Sequence, residues 1–189
     1  VGVALAGFLW LSLWHDRGPS GGGSSQDAAA TFRPTFNLTD HRSNAVTVQS
    51  YQGKWLLVFF GFTNCPDICP TTLAELARVM ERLGPDAGLV KPLFVSIDPE
   101  RDRVETMAEY VSVFHPTIVG LTGTEAQIAE AARSFKAYYE KQPQESAPNG
   151  YTMGHTSAVY LISPEGVFVR TYGYGTPPGE ITKDLQKRL

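Results

Sequence analysis

Two thiols four residues apart, Cys65 and Cys69, stand in the string GFTNCPDICPTTL. They are the chain's 2 cysteines, so a disulfide-built scaffold is excluded and the pair points to metal binding or thiol redox chemistry. They directly follow a continuous apolar run, residues 54–62 (KWLLVFFGF), and directly precede a helical pattern. Open α/β sheets place their sites at that strand edge. A helix start supplies free N–H groups and partial positive charge, which favour thiolate over thiol, and Pro70 supports a helix beginning there. Side chains four apart on a helix have Cβ atoms ~5–6 Å apart, and a disulfide needs ~3.5–4.5 Å, so a modest adjustment closes the bond. Two sulfurs on one metal ion, each ~2.3 Å away by analogy with zinc–sulfur bonds, lie about 4 Å apart. The pair therefore holds a metal when reduced or a disulfide when oxidised, never both. Structural zinc asks for four protein ligands. Two thiolates with one imidazole form a soft set that favours copper.

The chain offers 4 histidines as a third donor. His15 lies in a Gly/Ser-rich stretch and reads as solvated. His41 reads as an exposed turn residue. His115, just before Pro116, reads as a helix C-terminal residue. His155 follows a long irregular stretch, residues 138–154, and precedes an apolar strand at 157–162. A structural histidine and a metal ligand both fit there, since Met153 and Gly154 leave the segment free to reach a metal. Asp98, Glu100 and Asp102 (SIDPERD) end a second buried strand on the same sheet edge. They fit either a solvated Asx-type turn or an acidic group that balances cation charge or meets a partner. Met153 fits a weak soft ligand or a core residue.

The elements that must position these groups are legible from periodicity. Residues 34–39 and 45–48 read as two short strands around a turn at 40–44. The runs 54–62 and 90–97 are apolar throughout, as in strands buried on both faces. Leu73, Leu76, Ala77, Met80 and Leu83 mark a first helix, Val104, Met107, Ala108 and Val111 a second, and Ile128, Ala131, Ala132 and Phe135 a third. Residues 116–120 read as a short strand, 157–162 and 166–172 as a strand pair around a tight turn, and Ile181, Leu185 and Leu189 as a last helix. Alternating strands and helices give an α/β fold with helices on both faces of one sheet. The tightly turned pair is antiparallel, so the sheet is mixed.

Three regions follow. Residues 1–14 (VGVALAGFLWLSLW) carry no charge and read as a truncated membrane anchor, with Trp10 and Trp14 suited to the interface. Residues 15–31 read as a flexible tether, and 32–189 as the globular domain. A net charge of −3 without a Lys/Arg run argues against a nucleic-acid partner.

GFTNCPDICP, SIDPERD and GHTSAVYLISPEG, in this order, resemble the Sco/SenC family of copper-binding proteins that assemble cytochrome c oxidase. The resemblance implies a thioredoxin-like mixed sheet flanked by helices, with an added N-terminal β-hairpin. It implies one copper ion per chain, as Cu(I), Cu(II) or both, held by Cys65, Cys69 and His155. It implies a membrane-tethered metallochaperone, rather than an enzyme, that helps build the binuclear copper A centre in subunit II of cytochrome c oxidase. Other copper chaperones or thiol reductants are further expected partners. The expected location is a bacterial inner membrane with the domain in the periplasm; the alternative is a mitochondrial inner membrane. The rival function is a thiol–disulfide oxidoreductase acting through Cys65 and Cys69 on the same target. Two departures stand out: many members carry Asp where this chain has Gly154, and His where it has Asn64. Neither removes a ligand.

Overall fold

The computed structural model describes residues 32–189; the anchor and tether read from the sequence lie outside them. Among the described residues no helix is long and apolar enough to cross a membrane. Seven strands form one mixed sheet in the order β2-β1-β5-β4-β3-β8-β9. β3 (Trp55–Gly61), β4 (Val90–Ser96) and β5 (Val119–Thr122) run parallel at its centre. β8 (Ala158–Ile162) joins β3 antiparallel and β9 (Phe168–Gly173) closes that side. The expected N-terminal hairpin, β1 (Asn37–Asp40) and β2 (Ala45–Thr47), adds antiparallel to β5. Its turn is tied by Asp40, whose carboxylate accepts from the Arg42 and Asn44 backbone amides and the Asn44 side chain.

Among the described residues four α-helices complete the layers: α1 (Ile68–Leu83), α2 (Val104–Ser112), α3 (Glu125–Phe135) and α4 (Pro178–Gln186). α1 buries Leu73, Leu76, Met80 and Leu83 at helical spacing. α3 starts on a capping box, in which Thr124 accepts from the Gln127 amide and Gln127 bonds back to the Thr124 amide. Leu57, Val58, Phe59, Leu93, Phe94 and Val95 are wholly buried in the two central strands, as the unbroken apolar runs require.

Two expectations change. The strand expected at 116–120 lies at Val119–Thr122, because the Ile118 amide turns back to the His115 carbonyl before pairing begins. The stretch 138–154 is not irregular: it folds as a second hairpin, β6 (Tyr139–Pro143) and β7 (Tyr151–His155), forming its own two-stranded sheet. Its solvent-exposed β6 alternates no apolar residues, so periodicity had nothing to report.

Candidate metal centre

The loop between β3 and α1 carries Cys65 just outside the helix and Cys69 in its first turn. The expected geometry, both cysteines on one helical face, gives way to a reach-back from the preceding turn. The Cys69 amide, one of the donors a helix start leaves free, bonds to Cys65 Sγ at 3.4 Å. The loop is anchored from the side by Asp102: its carboxylate accepts from the Thr63 amide at 3.0 Å, the Thr63 hydroxyl at 2.5 Å and the Ser96 hydroxyl at 2.7 Å. Burial raises the Asp102 carboxyl above its ordinary range against these hydrogen bonds.

Cys69 is fully buried and Cys65 half-buried. Gly61, the last residue of β3, makes room for Cys69: a Cβ there would lie 2.6 Å from Cys69 Sγ and 2.8 Å from the Phe94 ring. The buried Phe59 ring is 5.9 Å, and the Phe62 ring 6.0 Å, from the imidazole of His155, both edge-to-face. His155 Nδ1 faces the Thr156 carbonyl at 3.1 Å. A carbonyl only accepts, so Nδ1 bears a proton and Nε2 is the nitrogen turned toward the sulfurs. Nε2 lies 3.7 Å from Cys69 Sγ. The three donor atoms of Cys65, Cys69 and His155 fall within 4.8 Å of one another. Cys65 and His155 open into a cleft of about 390 Å³ lined also by Phe62, Pro66, Ile68 and Met153, and Cys69 lies buried behind them.

The two thiols are electrostatically unequal. A hydrogen bond from Cys69, aided by His155 and by backbone amides, outweighs burial and pulls the Cys65 thiol down to about 4. Cys69, bonded to that sulfur and buried, is pushed far above the ordinary range. The outer sulfur is the thiolate and the inner one holds the proton. The pair is reduced, so both sulfurs are free to ligate.

Of the other sequence candidates, His41 is not exposed: its Nδ1 accepts from the Gly120 amide at 3.1 Å and ties the hairpin to β5. His115 Nδ1 pairs with the Thr117 hydroxyl at 2.8 Å. Asp98 and Asp102 are buried and structural, not a solvated turn. Met153 is buried in β7 and lines the cleft. His155 ends β7 rather than a loop. Gly61 and the Phe59–Phe62 wall went unread in the sequence, because an apolar run does not show which side chains meet a distant histidine.

The sequence model of SCO1/SenC matches residues 24–189. The chain belongs to the SCO1/SenC family. The bovine mitochondrial protein SCO2 homolog is 39% identical over 194 residues, covering 100% of this chain and 72% of that protein. The human mitochondrial SCO1 homolog is 41% identical over 156 residues, 82% of this chain and 52% of that protein. This SCO1/SenC chain thus spans about half the length of some of its curated relatives. Among solved structures, Bradyrhizobium japonicum ScoI with copper bound shares 42% identity at a TM-score of 0.77, covering 84% of this chain and 99% of that one. BsSco, described as a member of the Sco family of cytochrome c oxidase assembly proteins with a disulfide switch, shares 27% identity at a TM-score of 0.65, covering 80% and 90%. The thioredoxin-like sheet with its added hairpin is therefore the family's fold, and copper is the metal that its donor set suits.

Proposed function

We propose that this chain is a copper metallochaperone that binds one copper through Cys65, Cys69 and His155. It passes the metal to the binuclear copper A site of cytochrome c oxidase subunit II. The observation that carries the proposal is the meeting of two thiols and an imidazole nitrogen within 4.8 Å, with Cys65 and His155 on a cleft open to solvent. Support comes from relatives described as copper-bound and as oxidase assembly proteins. The donors suit transient holding of a cargo. Three ligands leave Cu(II) short of its preferred number and hold Cu(I) at a low coordination that admits an incoming ligand, and the outer sulfur stands nearest solvent, where an acceptor's sulfur can approach the metal. Ligands must be deprotonated to bind. With the Cys65 thiol lowered and the Cys69 thiol raised, Cys69 is the sulfur that must give up its proton when the metal enters.

Residues 1–14 act as the membrane anchor and 15–31 as a tether that lets domain 32–189 reach its acceptor. The membrane is a bacterial inner membrane with the domain in the periplasm, or a mitochondrial inner membrane, a reading that relatives named as mitochondrial support at the level of the organelle. Other copper chaperones or thiol reductants would reload the site.

The unequal thiols favour a second reading, reduction of the acceptor's disulfide by the Cys65 thiolate with Cys69 resolving. The two separate on anaerobic copper titration of the reduced domain, wild type against His155→Ala. A chaperone binds one equivalent and loses affinity without His155. If both bind copper equally, His155 is structural and the oxidoreductase reading stands.

A further inference from the structure

The hairpin that brings His155 to the sulfurs is not part of the main sheet. Among the described residues, no backbone hydrogen bond joins residues 139–155 to any of the seven main strands. The hairpin is closed at its base by the Thr156 amide on the Tyr138 carbonyl, 2.9 Å, and by the Tyr138 amide on the Thr156 hydroxyl, 3.0 Å. Beyond that hinge its angle against the domain is fixed by side chains: Phe59 and Phe62 pack on His155, and the buried polar contacts converge on the turn 98–101.

Tyr151, Met153 and His155 alternate along β7 and therefore share one face; Tyr151 and Met153 are buried. The Tyr151 hydroxyl donates to Asp98 Oδ1 at 2.9 Å. Arg101 pairs with Asp98 through Nε and reaches the hairpin with Nη1, bonding to the Pro148 carbonyl at 2.9 Å and the Tyr151 carbonyl at 3.1 Å. Its guanidinium carbon lies 3.8 Å from the Tyr151 ring centroid. The Arg101 side chain is only 9% exposed and Asp98 4%. Nη2 is buried with no protein partner, so Asp98, the two hairpin carbonyls and the Tyr151 ring set where the guanidinium sits. Lys141 meets Glu100 at 2.6 Å and stands 3.8 Å from the Tyr151 ring centroid, but Lys141 and Glu100 are 52% and 61% exposed, and such contacts hold little in water.

We infer that Asp98, Arg101 and Tyr151 are positioning residues for the copper site: they latch β7 at the angle that presents His155 Nε2 to the two sulfurs. A site needs its donors held to within about 0.5 Å and 10–20°, and His155 sits beside the hinge, where a change of hairpin angle becomes a rotation of its ring. The latch rests on the copper reading above for its consequence. Its mechanical half, the fixing of the hairpin, is independent of any metal. The SIDPERD turn thereby has a role that neither ligation nor thiol chemistry gives it. The Lys141–Glu100 pair touches the same ring from the exposed side and adds little to the latch.

Removing Arg101 outright would strand a buried carboxylate and threaten the fold. The test therefore uses two gentler variants. Tyr151→Phe keeps the ring and deletes one hydrogen bond. Arg101→Lys keeps the charge facing Asp98 but loses the fork that reaches two carbonyls. Amide hydrogen exchange is followed by NMR in the metal-free reduced protein, alongside wild type, Lys141→Gln and His155→Ala. Cu(II) titrations of the same proteins record the thiolate-to-copper absorption bands and the electron paramagnetic spectrum. Both latch variants should exchange β6–β7 amides about tenfold faster, with β3 and β4 amides unchanged. They should also bind Cu(II) about tenfold or more weakly, as loss of an outer-shell partner does, with spectra shifted toward His155→Ala. Lys141→Gln, which loses only exposed contacts to Glu100 and the Tyr151 ring, should have a clearly smaller effect on both than either latch variant. Unchanged hairpin exchange together with wild-type copper spectra in Tyr151→Phe and Arg101→Lys would overturn the latch, as would an equal effect of Lys141→Gln. If His155→Ala itself leaves the copper spectrum unchanged, the copper reading fails, and hydrogen exchange alone then decides the latch.

Discussion

Replacing Gly61 by alanine tests whether the fold reserves space for the inner sulfur. The added Cβ would stand 2.6 Å from Cys69 Sγ, 2.8 Å from a Phe94 ring carbon and 3.3 Å from a Phe59 ring carbon. Carbon–carbon contacts settle at ~3.5–4.0 Å and sulfur is no smaller, so about 1 Å of displacement is required. Phe59, Phe94 and Cys69 are all at 0% exposure, and a packed interior does not yield freely. Phe94 is wedged by Phe59 at 6.1 Å and Tyr110 at 5.5 Å between centroids, which leaves the sulfur as the group that moves. A 1 Å shift is twice the ~0.5 Å that a ligand site tolerates. Overpacking of this kind costs about 1–3 kcal/mol, or roughly 2–12 °C in Tm for a domain of this size. Copper affinity should fall about tenfold or more. The control is Gly120→Ala, whose Cβ would meet Met107 and Val111 at 3.1 Å, in the core beside α2. It should lower Tm while leaving copper affinity alone. Competition against a chromophoric copper chelator and a thermal melt on both variants give the two readouts. Wild-type copper affinity in Gly61→Ala, or an equal loss in Gly120→Ala, refutes the reasoning.

His155→Ala should weaken Cu(II) more than Cu(I), since two thiolates still satisfy Cu(I), and should leave disulfide formation intact. It should also cost about 1 kcal/mol from the lost edge-to-face packing on Phe59 and Phe62, ~2–4 °C in a melt. Oxidising the pair to a Cys65–Cys69 disulfide before titration should abolish copper binding, and metal analysis after desalting checks it. Because the Cys65 thiol is lowered to about 4, its thiolate persists as pH falls. Iodoacetamide labelling of Cys65 in the reduced metal-free protein should therefore hold level from about pH 8 to about pH 5. An ordinary thiol loses about tenfold per unit below ~8.5 over that range, and peptide mass spectrometry distinguishes the two. Cys69, with its thiol raised, should label slowly throughout. A chain beginning at Phe32 should fold and bind copper, because Phe32 already docks on Phe168, 5.6 Å between ring centroids; circular dichroism and copper titration decide it.

What the sequence determined by itself is the local chemistry and most of the scaffold. CPDIC between an apolar run and a helical pattern fixes two thiols at a strand edge, because strand burial and helix amphipathicity are written in nearest-neighbour periodicity. The two short N-terminal strands and the turn between them were legible for the same reason, through Asp40 and Asn44. The third donor was not. His155 lies 86 residues from Cys69, and its sequence setting fitted a structural histidine as well as a ligand; from the sequence, resemblance decided between the two. The hairpin that delivers His155 was hidden because its outer strand, Tyr139–Pro143, is polar and exposed, so no hydrophobic pattern marks it. Asp98 and Asp102 read as surface acids because composition cannot show that Arg101, Thr63 and Ser96 wait to pair with them. Which sulfur carries the negative charge was decided only by tertiary structure: two cysteines identical in kind diverge because one is sunk in the core and the other accepts its hydrogen bond.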